Sequence, residues 1–125
     1  MIHALVHISV IVEDLQRALP FYCDVLGLEP DPQRPDLGYP GAWLPLNDNQ
    51  QIHLLQLPNP DPTTGRPEHG GRDRHGALAV CDLSVIEQRL THRRIPFTLS
   101  RSGRRALFCR DPDGNSWELI ETDKP

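Results

Sequence analysis

An internal repeat constrains the fold of this chain more than any other feature of its sequence. Residues 7–15 read HISVIVEDL, and residues 75–83, which lie 68 positions later, read HGALAVCDL. His, Val, Asp and Leu occupy the same four places in both copies. In each copy a histidine opens an apolar strand, and an Asp-Leu pair closes the strand and starts a helix. The chain is therefore predicted to contain two copies of one strand–helix unit.

The repeat continues near the end of each half, with an offset of 65 positions. Residues 48–56, DNQQIHLLQ, align with residues 113–121, DGNSWELIE. The turn Asp and a Leu are shared, and His53 falls on Glu118. This self-similarity favours an α+β fold made of two βαβββ modules related by a pseudo-two-fold axis.

The module boundaries follow from a segment that has no periodicity. Residues 58–74 are rich in Pro and Gly and predict an extended surface linker. The first module is then residues 1–57 and the second is residues 75–125, within one compact domain overall.

The sequence predicts the helices and strands of each module. In the first, a helix spans about 15–26 and Gly27 closes it, with Pro20 either in the first turn of a late-starting helix or at a kink. Residues 29–41 form a loop or an interrupted edge strand. A hairpin follows, with strands at 42–46 and 51–57.

In the second module we expect a helix over about 83–93, with Leu83, Ile86 and Leu90 inward. The strands expected there are 75–81, 95–99, 106–109 and 116–121.

Charge, cysteine content and hydropathy exclude several classes of protein. The net charge of −4 argues against a nucleic-acid-binding protein. Cys23, Cys81 and Cys109 are widely spaced and odd in number, which disfavours a disulfide framework or a zinc ribbon. Neither a signal peptide nor an apolar run long enough to span a membrane is seen. A cytoplasmic protein is predicted, with no nucleic-acid or membrane partner.

The repeat also selects candidate metal ligands. Because strands have a period of two, His7 and Ser9 share a face opposite the apolar side chains of the first strand. Histidine and carboxylate side chains suit Zn, Ni, Mn, Co or Fe(II). The ligand-type residues at matched repeat positions are His7, His53, His75 and Glu118. Four such residues predict a catalytic divalent-metal site, although a single strand histidine is more often a half-buried, hydrogen-bonded side chain. His69, in the linker, is the substitute if His53 is not a ligand.

Three motifs resemble the vicinal oxygen chelate superfamily, which includes glyoxalase I, fosfomycin-resistance thiol transferases, extradiol dioxygenases and the bleomycin-binding proteins. They are His-x-Ser-x-x-Val-x-Asp-Leu at 7–15, Phe-Tyr-x-x-Val-Leu-Gly-Leu at 21–28, and Phe-x-x-Asp-Pro-Asp-Gly-Asn-x-x-Glu-Leu-Ile-Glu at 108–121. The resemblance implies paired βαβββ modules that form a cup-shaped site for one divalent metal. It places the family's ligand positions on His7, His53, His75 and Glu118.

The resemblance further implies a glyoxalase-like lyase or isomerase. Its small-molecule substrate would chelate the metal through neighbouring oxygens, and Glu118, as the catalytic base, or a metal-bound hydroxide would move a proton. Glutathione is a candidate co-substrate. The residues expected to shape the substrate pocket are Ser9, Trp43, Leu55, Arg101, Arg104 and Arg105. Alternatives are a fosfomycin-type thiol transferase, an Fe(II) extradiol dioxygenase and a non-catalytic small-molecule-binding protein. A homodimer is the expected assembly.

Overall fold

The fold is α+β, as predicted from the repeat. A computed structural model describes residues 1–123, and the chain separates into two compact units, the first ending at Asp61 and the second beginning at Pro62. Each unit contains one small sheet and a helix that follows its first strand. Among residues 1–123, no helix is long and apolar enough to cross a membrane.

The first unit contains a three-stranded sheet and one helix. Its strands are β1 (His7–Val12), β2 (Gly41–Pro45) and β3 (Gln51–Gln56), in the order β1-β3-β2. β1 runs parallel to β3, and β2 runs antiparallel to it. β2 and β3 form the predicted hairpin.

The helix of the first unit changes its geometry at Pro20. α1 (Leu15–Pro20) begins after Asp14, whose Oδ1 accepts a hydrogen bond of 3.0 Å from the Gln16 N–H. A π-helical turn, Phe21–Val25, continues it, and Gly27 follows with a φ of 76°. A proline has no N–H to donate to the preceding turn, which accounts for a wider turn at this point. Because the helix begins at Leu15, the alternative with a late start is wrong.

Residues 29–40 of the first unit form a loop, one of the two predicted alternatives. They contain four prolines, which cannot donate to a strand ladder, and they hold no strand. The first unit therefore has one strand fewer than the second.

The second unit is a complete βαβββ module. Its strands are β4 (His75–Val80), β5 (Phe97–Leu99), β6 (Ala106–Arg110) and β7 (Ser116–Glu121), and α2 (Leu83–His92) follows β4. The strand order is β4-β7-β6-β5, with β4 parallel to β7 and the other pairs antiparallel. The predicted inward residues of α2, Leu83, Ile86 and Leu90, are all buried.

The strand register reproduces the sequence repeat. In the first unit Ser9 lies opposite His53, and in the second Ala77 lies opposite Glu118. These are the pairs that the offsets of 68 and 65 make equivalent. The repeat therefore places His53 and Glu118 at the same point of two equivalent parallel strand pairs.

The first turns of the two helices also have equivalent hydrogen bonds. The Leu15 N–H donates to Gln56 Oε1 at 2.8 Å, and the Leu83 N–H donates to Glu121 Oε2 at 2.9 Å. In both units a side chain from the last strand thus satisfies a free N–H at the first turn of the helix.

Much of the predicted linker packs with the second unit. A 3₁₀ turn, Gly70–Arg72, lies against β6 and β7, and Ser116 Oγ donates to the Gly70 carbonyl at 3.1 Å. A Cβ atom at Gly70 would clash with Ser116 Oγ, so a side chain there would break the hydrogen bond from the Ser116 hydroxyl or shift the turn. This close approach fixes the segment that leads into His75.

Candidate metal-binding residues

The first unit brings its two predicted ligands together. The His7 and His53 rings stack with centroids 4.0 Å apart, and Trp43 stacks on His53 at 4.9 Å. The strand order explains this sandwich, because β3 lies between the strands that carry His7 and Trp43. Ser9 and Trp43 both lie opposite His53 in the register. Three residues predicted for the site therefore surround His53.

His53 is held in the neutral state that metal binding requires. Its Nε2 lies 2.7 Å from Gln51 Oε1, which accepts the N–H and leaves the Nδ1 lone pair available. Burial lowers the pKa of His53, and the charges of His7 and Arg34 lower it further. A neutral imidazole is the form that binds divalent metals.

The second unit brings together the other two predicted ligands. His75 Nε2 lies 3.5 Å from Glu118 Oε1, and Glu118 is only 6% exposed. The register accounts for the approach, because β4 and β7 are neighbours and Glu118 lies opposite Ala77, two residues after His75. His75 Nδ1 lies 2.9 Å from the Asp73 carbonyl oxygen, which can only accept. The ring therefore donates from Nδ1, and in the neutral state its lone pair lies on Nε2.

This arrangement fits a bound cation. In the neutral state of the ring, His75 Nε2 and Glu118 Oε1 are two acceptors that face each other, and either a proton on Nε2 or a metal cation between them removes their repulsion. A backbone carbonyl that fixes the imidazole tautomer is a typical support for a metal-binding histidine. Across residues 1–123, however, no group of three or more His, Cys, Asp or Glu side chains is close enough to hold a metal. Each unit supplies a pair of ligand-type residues, and the four-ligand, cup-shaped site remains a prediction.

The three arginines predicted for the substrate pocket, Arg101, Arg104 and Arg105, have different surroundings. Arg104 Nη2 lies 3.3 Å from Glu118 Oε2, although the Arg104 side chain is 58% exposed. Arg105 pairs with Glu87 of α2 and lies 3.4 Å from Ser84 Oγ of the same helix. Arg101 is exposed to solvent. Of these three arginines, the structure therefore brings Arg104 to the carboxylate of Glu118.

Two other predicted residues lie at the edges of these clusters. Leu55 is half-buried on β3, opposite Ile11 and Gly41. The substitute ligand, His69, lies in the segment before the 3₁₀ turn, and its Nδ1 accepts a hydrogen bond of 3.0 Å from the Gly71 N–H. That nitrogen is thus already used in the local structure.

Sequence reasoning did not identify a charged cluster that supports His75. Asp73 accepts a two-pronged contact from Arg66, with Nε at 3.0 Å and Nη2 at 2.6 Å, and Arg110 Nη1 donates at 2.8 Å. The hydrogen bond from Arg66 is the main cause that holds the pKa of Asp73 well below its usual range, and Arg110 adds to it. Residues 66 and 73 lie in the Pro/Gly-rich segment, and Arg110 is 37 positions beyond Asp73, so no local pattern links them.

Comparison with protein families identifies the class. Residues 4–119 match the model of the Glyoxalase/Bleomycin resistance protein/Dioxygenase superfamily. The chain belongs to this superfamily, which confirms the resemblance seen in its motifs. It is 29% identical over 122 residues to Glyoxylase I 4 of Arabidopsis thaliana, covering 94% of this chain and 70% of that protein. It is 32% identical over 121 residues to YaeR of Escherichia coli strain K12, covering 92% and 93% of the two chains.

Solved structures show the same fold. A protein from Bacillus anthracis, described as a member of the glyoxalase family, superposes with a TM-score of 0.77 at 24% identity, covering 98% of this chain and 97% of that one. The fosfomycin resistance protein FosX of Listeria monocytogenes, in complex with Mn(II) and sulfate, superposes with a TM-score of 0.73 at 19% identity, covering 97% and 91%. At these identities the likeness establishes the glyoxalase fold.

Proposed function

We propose that this protein is a divalent-metal-dependent enzyme of the glyoxalase type, a lyase or isomerase that acts on a small molecule with neighbouring oxygens. His7, His53, His75 and Glu118 would be the metal ligands. The observation that carries the proposal is the pair of acceptors, His75 Nε2 and Glu118 Oε1, which face each other at 3.5 Å. Candidate metals are Zn, Ni, Mn, Co and Fe(II), and Mn(II) is the metal in the FosX complex of Listeria monocytogenes.

When bound, a divalent metal supplies Lewis-acid polarisation of the substrate oxygens. Glu118 is the group placed to move a proton, through Oε1 or Oε2. Its near-complete burial excludes bulk water, and Arg104 beside Oε2 compensates the charge of the carboxylate. Trp43 and Ser9, next to His53, would bound the substrate pocket.

Metal content tests the proposal first. The purified protein should contain close to one equivalent of a divalent metal by elemental analysis. His7→Ala and His75→Ala should lower this content, whereas His3→Ala should leave it unchanged because His3 is exposed and lies outside both pairs. If the wild-type protein takes up no divalent metal, the enzyme proposal is wrong and a non-catalytic binding protein on the same fold is favoured.

A substrate panel then distinguishes the reactions. We expect turnover of a hemithioacetal formed from glutathione and a 2-oxoaldehyde. The comparison substrates are fosfomycin with a thiol and a catechol under oxygen, which represent the thiol transferase and the extradiol dioxygenase. Turnover of either comparison substrate alone would replace the lyase or isomerase assignment with that activity.

A further inference from the structure

The loop over residues 29–40 of the first unit borders an open cavity that no predicted site residue lines. The cavity has a volume of about 600 Å³, within the usual range for small-molecule sites. Its lining residues are Arg34, Pro35, Asp36, Gly38, Tyr39 and Pro40. The wall thus combines one arginine, one aspartate and one tyrosine with rigid prolines.

Arg34 is held in place by its neighbours. Its Nη2 donates to the Tyr39 carbonyl at 3.1 Å, and its Cζ lies 5.3 Å from the centre of the Tyr39 ring. The guanidinium also lies against Gly41, because a Cβ atom there would stand 2.7 Å from Nη2. These contacts fix the guanidinium before any ligand arrives, which lowers the entropy that binding would cost.

No carboxylate among residues 1–123 forms an ion pair with Arg34, although Asp36 lines the same cavity. Asp36 instead accepts a hydrogen bond of 2.8 Å from the Gly38 N–H. The Arg34 Nε is buried and has no hydrogen-bond partner within residues 1–123. A buried donor without an acceptor costs free energy. Because Nε is shielded, an anionic ligand in the cavity would contact the Nη atoms of the guanidinium instead.

The register places Arg34 near the predicted metal ligands. Gly41, against which the guanidinium lies, is opposite Leu55 and two residues before Trp43. Alternate residues of a strand share a face, so Gly41 and Trp43 lie on the side of β2 that faces the His53 ring. Arg34 is therefore beside the stacked rings of Trp43, His53 and His7.

We propose that Arg34 and Tyr39 form a subsite for an anionic group of the substrate, a carboxylate, phosphate or phosphonate. The planar guanidinium matches the oxygens of such groups, and the Tyr39 ring supports it from one side. The location of the subsite beside His53 rests on the proposed function, but anion binding itself does not require a metal.

Binding of simple anions to metal-free protein tests the subsite. Inorganic phosphate, methylphosphonate and acetate are titrated into the full chain, and the backbone amides of Gly38 and Tyr39 are followed by NMR. We expect saturable shifts, and Arg34→Gln should weaken binding about ten-fold or more, the effect of losing one charged hydrogen bond. Arg34→Lys should weaken anion binding less, because lysine keeps the positive charge but lacks the planar set of donors of the guanidinium.

Two matched variants serve as controls. Asp36→Asn removes the negative charge from the cavity wall and should strengthen anion binding. Arg72→Gln removes an exposed arginine of the second unit and should leave anion binding unchanged. Unchanged binding in a folded Arg34→Gln protein, or no saturable binding by the wild type, would overturn the subsite. Anion binding that persists in a protein without metal uptake would instead leave the subsite standing and reject the proposed function.

Discussion

His75 and Glu118 face each other across the parallel strands β4 and β7, with Nε2 and Oε1 3.5 Å apart. The Asp73 carbonyl accepts a hydrogen bond from the His75 Nδ1–H, and Arg104 approaches the second oxygen of Glu118. The other nitrogen of His75 and the other oxygen of Glu118 are thus both engaged, and a proton or a metal cation between the two facing atoms would be stabilised. The contact between His75 and Glu118 is therefore the first target for substitution.

Glu118→Gln should abolish most of the activity while preserving the fold. The amide has the size of the carboxylate, but it can neither accept a proton nor bind a divalent metal with comparable strength. General base catalysis contributes about 100-fold to 10,000-fold, so kcat should fall by about 100-fold or more. Steady-state kinetics on the substrate found in the panel would measure this. Glu68→Gln, at an exposed position, should retain wild-type kcat, and full activity in Glu118→Gln would exclude Glu118 as the base.

The tautomer of His75 is a second testable property. Since a carbonyl oxygen cannot donate, neutral His75 should carry its proton on Nδ1. Long-range ¹H–¹⁵N NMR spectra of metal-free protein at pH 8 would then show a protonated Nδ1 and an unprotonated Nε2. His3, which is exposed, is the control. A proton on Nε2 of His75 would contradict the orientation that metal binding needs.

Asp73→Asn should destabilise the second unit. The Asp73 side chain is 7% exposed, and its loss of charge would leave Arg66 and Arg110 without their common partner. Weakening the charged hydrogen bonds of this half-buried cluster should cost about 1–3 kcal/mol, which urea unfolding at pH 7 would detect. Asp48→Asn, in the exposed hairpin turn, is the matched control and should change the free energy of unfolding little.

The same variant should change the acid sensitivity of the protein. Because the pKa of Asp73 is lower in the folded state than its ordinary 3.8, its ionised form stabilises the fold above that value. This contribution is lost as the pH falls below 3.8 towards the folded-state pKa. Wild-type stability should therefore drop more steeply in this range than that of Asp73→Asn, and parallel curves would show that Asp73 is not an important acid-sensitive group.

The parts of the fold that repeat were predictable, because the repeat fixes register as well as elements. His7 and His75 open equivalent strands, and the offsets that align His53 with Glu118 also align their strand partners, Ser9 and Ala77. Strand periodicity and helix capping by Asp14 and Asp82 are local properties that a sequence displays directly.

The parts that were not predictable depend on contacts between distant residues or on local irregularity. Asp73 meets Arg110 from a segment without periodicity. Arg104, a residue predicted for the substrate pocket, lies beside Glu118, and no local pattern specifies that contact. Pro20 indicated a disturbed helix without specifying the π-helical turn that follows it. The position of Arg34 depends on the path of a proline-rich loop, which no pattern specifies.

The pH dependence of stability should also report on His53. Burial is the main reason that its pKa is below the ordinary 6.5 in the folded state, and the neighbouring charges of His7 and Arg34 add to the effect. Between 6.5 and the lower folded-state pKa, the unfolded chain therefore binds more protons than the folded chain, so the free energy of unfolding rises with pH. The stability associated with neutral His53 is complete above 6.5 and is lost as the pH falls through the folded-state pKa.

Urea unfolding of metal-free protein at pH 8 and pH 5.5 would measure this dependence. His53→Gln cannot be protonated, so its loss of stability between the two pH values should be smaller than that of the wild type. His3→Gln, at an exposed position, should lose as much as the wild type. If His53→Gln retains the full wild-type pH dependence, His53 is not held neutral by its surroundings. The stacked histidines would then lack the property that prepares them to bind a metal at neutral pH.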